Sequence, residues 1–173
     1  MKLYKITSAI LFLSLPLLGI AGGTHGEDHH KPKQSEDHHS NGHGEHESSS
    51  DVGTAGDIHK VNKAITVKLL DSMKLDFDYL SGVNHGDTVQ FKVSNVGKIR
   101  HEFSIGSEEE QKKHRAMMRQ MPNMVHEDDN SVTVEPGETK SIVWHFNGDE
   151  NIVFACNIPG HTEAGMIERK SLH

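Results

Sequence analysis

The chain has a single cysteine, Cys156, among its 173 residues. A disulfide within the chain therefore cannot form, and sites that need two cysteines, such as a Cys-x-x-Cys redox pair, are excluded. Basic residues are also scarce, since 18 lysines and arginines face 25 aspartates and glutamates and leave a formal charge of −7. Because nucleic-acid binding requires a basic patch, we do not expect this acidic chain to bind nucleic acid.

Hydrophobic residues make up only 34 % of the chain, and its mean hydropathy is −0.59. The length allows one domain with a real core and is too short for two. The average conceals three segments of different composition: residues 1–21 are apolar, residues 22–57 are polar, and residues 58–173 show short alternating runs. We therefore predict an export signal, a tail and one folded domain.

Residues 1–21 have the features of an export signal. Lys2 and Lys5 precede an apolar run from Ala9 to Leu18, and the small residues that follow predict cleavage near Ala21. The run is shorter than the roughly 20 residues of a membrane span, although a retained anchor is an alternative interpretation. The mature protein is expected in the periplasm, without stable membrane insertion.

Residues 22–57 are rich in histidine and acidic side chains. A stretch with so few apolar groups cannot bury enough surface to offset the entropy of ordering, which predicts a disordered tail. A solvated spacer is the plain interpretation. Neutral imidazole, however, is a ligand for copper, zinc and nickel, so the density of histidines favours a loose metal-binding tail. Its predicted ligands are His25, His29, His30, His38, His39, His43 and His46.

From residue 58 onward, alternating apolar residues recur in short runs separated by Gly, Pro and Asn. The runs are residues 65–69, 89–93, 103–105, 132–134, 142–146 and 152–156. This pattern predicts an all-β domain of antiparallel type, either a sandwich or a barrel, and the length of the core favours two facing sheets over a closed barrel. One helix is expected to interrupt the strands, because Ser107 and Glu110 form a capping box and Pro122 ends the helix near Met121.

A thiol, an imidazole and a thioether follow one another after the last strong strand. Cys156, His161 and Met166 lie close in sequence, and the turn at Pro159-Gly160 can fold His161 back toward the cysteine. His101 opens another strand on its inward face and is the natural fourth ligand. Two imidazoles, a thiolate and a weak axial thioether are the ligand set of a mononuclear electron-transfer copper site.

The same residues could serve other chemistry. Zinc would also bind such a cage, but a structural zinc site more often has several cysteines or no methionine. A lone cysteine is often a small buried hydrophobe. A Cys–His pair could also serve a hydrolase, but the sequence has no nucleophile elbow or oxyanion nest. We therefore predict a copper-binding protein that is not an enzyme and has no catalytic residues.

Several stretches resemble a known family. They are Gly86-Asp87-Thr88-Val89, Asn95-Val96-Gly97, His101-Glu102-Phe103, Pro136-Gly137-Glu138 and the segment from Cys156 to Met166. Together they are similar to cupredoxins of the plastocyanin and azurin superfamily, and more closely to the periplasmic CopI-type cupredoxins associated with bacterial copper tolerance. The resemblance covers about residues 60–167.

The resemblance implies a Greek-key sandwich with a type 1 copper site at one end. By motif, His101, Cys156 and His161 would be the equatorial ligands and Met166 the axial one. It also implies a backbone N–H near Glu102 that donates to the Cys156 sulfur and tunes the reduction potential.

The predicted helix carries a second group of soft ligands. Thioethers select Cu(I), so an auxiliary Cu(I) site is one interpretation. The other is packing, because methionines at helical spacing often fill irregular gaps in a core. The residues concerned are His114, Met117, Met118 and Met121 on one helix face, with Met124 and His126 after the proline.

These features favour a copper-tolerance protein that binds copper and exchanges electrons or metal with a periplasmic redox or copper-handling partner. The tail and the methionine helix suggest more metal-handling capacity than simple electron transfer requires. A dedicated electron carrier that docks around His161 is the main alternative, and a cysteine hydrolase is a remote one.

Overall fold

The structure is a computed structural model, and it describes residues 49–173. The predicted export signal and the seven predicted histidine ligands of the tail lie outside the described residues. None of the helices in the described range combines the length and apolar character that a membrane span requires.

Eleven strands and one helix make up the described range. The strands are β1 (Ser49–Ser50), β2 (Gly53–Ala55), β3 (Lys63–Leu70), β4 (Lys74–Phe77), β5 (Thr88–Asn95), β6 (His101–Gly106), β7 (Glu127–Asp128), β8 (Ser131–Val134), β9 (Thr139–His145), β10 (Asn151–Ala155) and β11 (Ile167–Ser171). The helix α1 spans Glu108–Gln120, and short 3-10 turns occupy Ile58–Lys60 and Leu80–Gly82. One sheet has the order β1-β2-β9-β5-β3-β4, and the other has the order β11-β10-β6-β8-β7.

The core lies between the two sheets, which confirms the predicted sandwich with one helix. Phe91 comes from the first sheet, and Phe103 and Phe154 come from the second; the three ring centroids lie 5.5–5.7 Å apart. All three side chains are buried. Aromatic groups in such contact add to the free energy that burial of apolar surface contributes, so this cluster fixes how the sheets face each other.

One strand pair departs from the predicted antiparallel type. β3 and β5 run parallel, with a register from Lys63↔Val89 to Leu69↔Asn95. A parallel pair needs a crossover of a dozen or more residues, and residues 71–87 supply it by way of β4 on the outer edge of β3. As a result, the turn after β3 and the loop after β5 meet at the same end of the sheet.

The sandwich begins earlier than the predicted domain boundary at residue 58. β2 pairs with β9 through Thr54↔His145 and Ala55↔Trp144, and Val52 is completely buried. A strand of three residues is too short for its alternation to be recognised in a polar sequence. Residues 49–55, which the predicted tail included, therefore belong to the first sheet.

The helix begins with the predicted capping box. Glu110 N donates to Ser107 Oγ at 3.2 Å, and Ser107 N donates to the Glu110 carboxylate at 2.7 Å. Gln111 Nε2 anchors the helix by donating to Ser104 Oγ in β6 and to Val153 O in β10. Because Ser104 alternates with residues of the core, the helix covers the face of the second sheet that is turned away from the core.

Candidate metal centre

His101, Cys156 and His161 come together where β6 begins and β10 ends. Their potential ligand atoms all lie within 4.8 Å of one another. Cys156 Sγ is 3.3 Å from His161 Nδ1, and the two imidazole centroids are 5.1 Å apart. His101 and Cys156 are completely buried, whereas His161 is half-buried. We call these three residues the thiol cluster.

The loop from Cys156 to Met166 folds back on itself through backbone hydrogen bonds. Cys156 N donates to Met166 O and Met166 N donates to His161 O, each at 3.0 Å. Gly160 has a φ of +90°, a conformation that a residue with a Cβ adopts only with strain, and it allows the turn that returns the chain to His161. The Met166 side chain is fully buried in the core. The structure thus brings the four predicted ligands into one region.

His101 has a buried nitrogen that is suited to a metal ion. Its Nε2 is hydrogen-bonded to Asp71 Oδ1 at 3.1 Å, whereas Nδ1 is buried and has no hydrogen-bond partner within residues 49–173. Leaving a buried polar atom unpaired costs about 1–3 kcal/mol. A cation held between the imidazoles and the sulfur would satisfy this atom, so the residues present fit a metal ion.

The protonation states of the cluster also fit a metal ligand set. Burial raises the pKa of the Cys156 thiol to about 12, although a hydrogen bond from Glu102 N acts in the opposite direction. Burial, with a smaller contribution from His101, lowers the pKa of His161 and keeps its imidazole neutral. Neutral imidazole and thiolate are the forms that bind metals, and a thiol of such high pKa ionises at neutral pH when a cation replaces its proton.

The hydrogen bond to sulfur that the family resemblance implied is confirmed. Glu102 N donates to Cys156 Sγ at 3.2 Å across the β6–β10 pair. A donor at this distance stabilises negative charge on the sulfur, and it fixes the direction of the side chain.

A second group of potential metal-ligand atoms lies on the other face of β6. Potential ligand atoms of Glu102, His114 and His126 lie within 4.8 Å of one another. The Nε2 atoms of the two histidines are 3.2 Å apart, and Met118 Sδ is 3.3 Å from His126 Nε2. Glu102 Oε2 lies 3.6 Å from His114 Nε2 and has no hydrogen-bond partner in the described part of the chain. We call these four residues the helix cluster.

The helix cluster contains half of the predicted auxiliary site. His114, Met118 and His126 are brought together, and Met118 is almost completely buried. Of the other predicted residues, Met121 is 43 % exposed, and Met117 and Met124 are half-buried. Spacing along a helix identifies a face, but only the packing of the helix on β6 and β10 selects which of its sulfurs reaches His126.

Glu102 is the residue of this cluster that sequence reasoning missed. Its carboxylate is completely buried and accepts from Asn157 Nδ2 at 3.1 Å. Burial raises the pKa of Glu102 to about 7, and burial together with His126 lowers the pKa of His114 to about 4. A usable signal was present, because an acidic residue inside a strand directly after His101 must point to the face opposite that histidine.

Comparison with known proteins decides the family. The copper-resistant cuproprotein CopI of Vibrio cholerae serotype O1 is 54 % identical over 122 residues, which are 70 % of this chain and 72 % of the relative. The chain belongs to the CopI family of cupredoxins. CopI of Rubrivivax gelatinosus is 39 % identical over 122 residues, 70 % of this chain and 73 % of that protein. No family model matches the chain.

Solved cupredoxin structures share the fold. Auracyanin B covers 70 % of this chain and 96 % of its own, with a TM-score of 0.53 and 13 % identity. Reduced auracyanin from Roseiflexus castenholzii covers 65 % of this chain and 98 % of its own, with a TM-score of 0.51 and 17 % identity. The predicted resemblance to CopI-type cupredoxins and the predicted fold class are thus confirmed.

Proposed function

We propose that this protein binds one copper ion in a type 1 site, in which His101, Cys156 and His161 would hold the ion with Met166 as a weaker fourth ligand. The observation that carries the proposal is the thiol cluster, in which the buried His101 Nδ1 has no hydrogen-bond partner in the described residues and the buried Cys156 sulfur accepts a backbone N–H. Two imidazoles, a thiolate and a thioether form a donor set that suits copper in both oxidation states.

The protein's own residues hold this donor set in place. Copper bound there supplies a one-electron couple. Asp71 orients His101, Glu102 N orients the Cys156 sulfur, and the backbone of Met166 is tied to both Cys156 and His161. Side chains held in this way would move little between the two oxidation states of a bound copper ion.

We further propose that the protein acts in copper tolerance in the periplasm, where it exchanges electrons or metal with a redox or copper-handling partner. The names of its relatives, copper-resistant cuproproteins, support tolerance. The half-buried His161 provides the edge of the site that a partner could reach. A dedicated electron carrier would use the same edge, and the two roles differ in what the cell loses without the protein.

A second metal-binding function is favoured by the helix cluster. Its donors are the carboxylate of Glu102, the imidazoles of His114 and His126, and the sulfur of Met118. Because the thioether is a soft ligand and both imidazoles accept Cu(I), we propose that this cluster is an auxiliary Cu(I) site.

The visible spectrum after addition of Cu(II) to the purified metal-free protein tests the type 1 site. We expect an intense thiolate-to-copper charge-transfer band that disappears in Cys156→Ser. His59→Ala removes an exposed imidazole and should keep the band, which controls for the general loss of a histidine. Absence of the band in the unmodified protein would overturn the proposal.

The cellular role requires a separate experiment. We expect a strain without this protein to become sensitive to copper, and we expect the unmodified protein, but not Cys156→Ser, to restore growth. Growth defects that depend on the electron acceptor, without copper sensitivity, would favour the dedicated carrier. Ester hydrolysis that survives chelation of the metal would instead support the hydrolase.

A further inference from the structure

Asp71 connects the turn after β3 to the buried histidine of the thiol cluster. Its Oδ1 lies 3.1 Å from His101 Nε2, across thirty residues of sequence. The aspartate side chain is 39 % exposed, whereas the histidine side chain is completely buried. The carboxylate thus brings a negative charge from the surface into contact with Nε2, the imidazole nitrogen other than the unpartnered Nδ1.

The carboxylate is held in place by the loop after β5. Lys98 N donates to Asp71 Oδ2 at 2.7 Å, and Ile99 N lies 3.5 Å from Oδ1. Asn95 orders the same loop, because its Oδ1 accepts from Gly97 N and its Nδ2 donates to Ile99 O. The backbone hydrogen bonds therefore aim the carboxylate at His101.

Gly97 leaves the space that the carboxylate occupies. A Cβ on Gly97 would lie 1.9 Å from Asp71 Oδ1 and 2.6 Å from its Cγ. The clash is with the end of a side chain, so a larger residue at position 97 displaces the carboxylate and leaves the backbone in place. This requirement for glycine is explained by the contact between Asp71 and His101.

The contact determines which nitrogen of His101 carries the proton. An ionised carboxylate only accepts hydrogen bonds, so the imidazole nitrogen that faces it must be the protonated one. In a neutral imidazole the proton then sits on Nε2, and the lone pair sits on Nδ1, the buried atom without a partner. The carboxylate also makes the lone pair on Nδ1 more basic, so that Nδ1 is a stronger metal ligand.

We propose that Asp71 is a positioning residue for the metal centre: it holds His101 in the tautomer whose Nδ1 is free to bind, and its charge favours the more positive oxidation state of the metal. Gly97 has no side chain and therefore leaves room for the Asp71 carboxylate. This inference rests on the proposed type 1 site only for its effect on copper, because the tautomer can be measured without metal.

The test compares Asp71→Ala, Asp71→Asn and Gly97→Ala in the full chain. In the metal-free protein, nitrogen-15 NMR should show the Nε2-protonated tautomer of His101 in the unmodified protein and in Asp71→Asn, whose amide oxygen still accepts. Asp71→Ala and Gly97→Ala should show a mixture of tautomers. Asp78→Asn is the matched control, because Asp78 is also an exposed carboxylate that accepts a backbone N–H, at 2.9 Å from Thr66.

Copper binding provides the second measurement. We expect Asp71→Ala and Gly97→Ala to weaken Cu(II) binding by about 10–100-fold in competition with a chelator, the usual effect of losing the hydrogen-bond partner of a ligating histidine. The reduction potential should rise in both Asp71 variants, since each removes the charge, and should stay unchanged in Asp78→Asn.

The outcomes separate this inference from the proposed function. Unchanged tautomer, Cu(II) affinity and potential in Asp71→Ala and Gly97→Ala would overturn the role of Asp71, whatever the copper spectrum shows. A protein that has the expected tautomer but no charge-transfer band would refute the type 1 site and leave the orienting role of Asp71 intact. If Asp71→Ala does not fold, Asp71→Asn and Gly97→Ala still decide the question.

Discussion

His101 and Glu102 are consecutive in β6, and their side chains lie in different donor clusters. His101 joins Cys156 and His161, whereas Glu102 joins His114 and His126. The peptide between them takes part as well, because Glu102 N donates to the Cys156 sulfur. Alternation along one strand therefore places two groups of potential ligand atoms on opposite faces of the same sheet.

The helix cluster predicts a difference between two adjacent methionines. Met118 Sδ lies 3.3 Å from His126 Nε2, and its side chain is 1 % exposed. We expect Met118→Leu to abolish a second Cu(I) binding event in isothermal titration, because leucine keeps the volume but has no thioether. Met117→Leu, one residue earlier on the same helix, should retain it. If both variants lost the second binding event, or both retained it, the proposed auxiliary site would be refuted.

Loss of the Asn157 side chain should lower the free energy of unfolding. Its Nδ2 donates to Glu102 Oε1 at 3.1 Å and to Gln111 Oε1 at 2.7 Å, and all three side chains are buried. Asn157→Ala leaves both acceptors without this donor, so the free energy of unfolding in urea should fall by about 1–3 kcal/mol. Asn147→Ala, at an exposed position, is the control and should change it little. Similar values for the two variants would contradict the assigned network.

The lowered pKa of Asp87 should make the stability of the protein depend on pH. Burial by itself raises the pKa of Asp87, but hydrogen bonds from the Lys63 ammonium and from Asn84 N outweigh it and hold the pKa below its ordinary value. A carboxyl shifted in this direction contributes stability that is complete above its unfolded pKa, about 3.9, and is lost as the pH falls through the folded value.

Urea unfolding at a series of pH values checks this expectation. The difference in unfolding free energy between the unmodified protein and Asp87→Asn should be constant above about pH 5 and shrink below about pH 4. Lys63→Met should show the same trend, because it removes the partner of the charged form. A difference that persists at low pH would show that Asp87 contributes through packing alone.

The histidine-rich tail predicts a metal stoichiometry that depends on pH. Deletion of residues 24–48, which leaves β1 intact, should lower the number of zinc or copper ions bound at neutral pH. In the full chain, the ions bound by the tail should be released below about pH 6.5, where imidazoles are protonated. A full-length variant with asparagine at the seven tail histidines keeps the length and should match the deletion. Equal stoichiometry in all three proteins would leave the tail as a spacer.

The helix and the alternating strands could be predicted from local chemistry. Ser107 and Glu110 cap the helix through contacts within one turn, so the capping box appears in the sequence as it does in the structure. The Cys156–Met166 segment is similar, because its candidate ligands are near neighbours in sequence and its turn has its own signal at Gly160. Its partner His101 was inferred from the inward face of another strand, which depends only on alternation.

The sequence by itself thus determined the two-sheet fold, the cap of the helix and the candidate ligands of the thiol cluster, because each follows from periodicity or short spacing. Only the tertiary structure decided that β3 and β5 run parallel and that the Met118 sulfur lies next to His126. It also decided that Asp71 contacts His101 and that Glu102 lies close to His114. These contacts join residues from different elements. They depend on how the crossover after β3 and the helix after β6 are laid against the sheets, and packing over the whole core decides that.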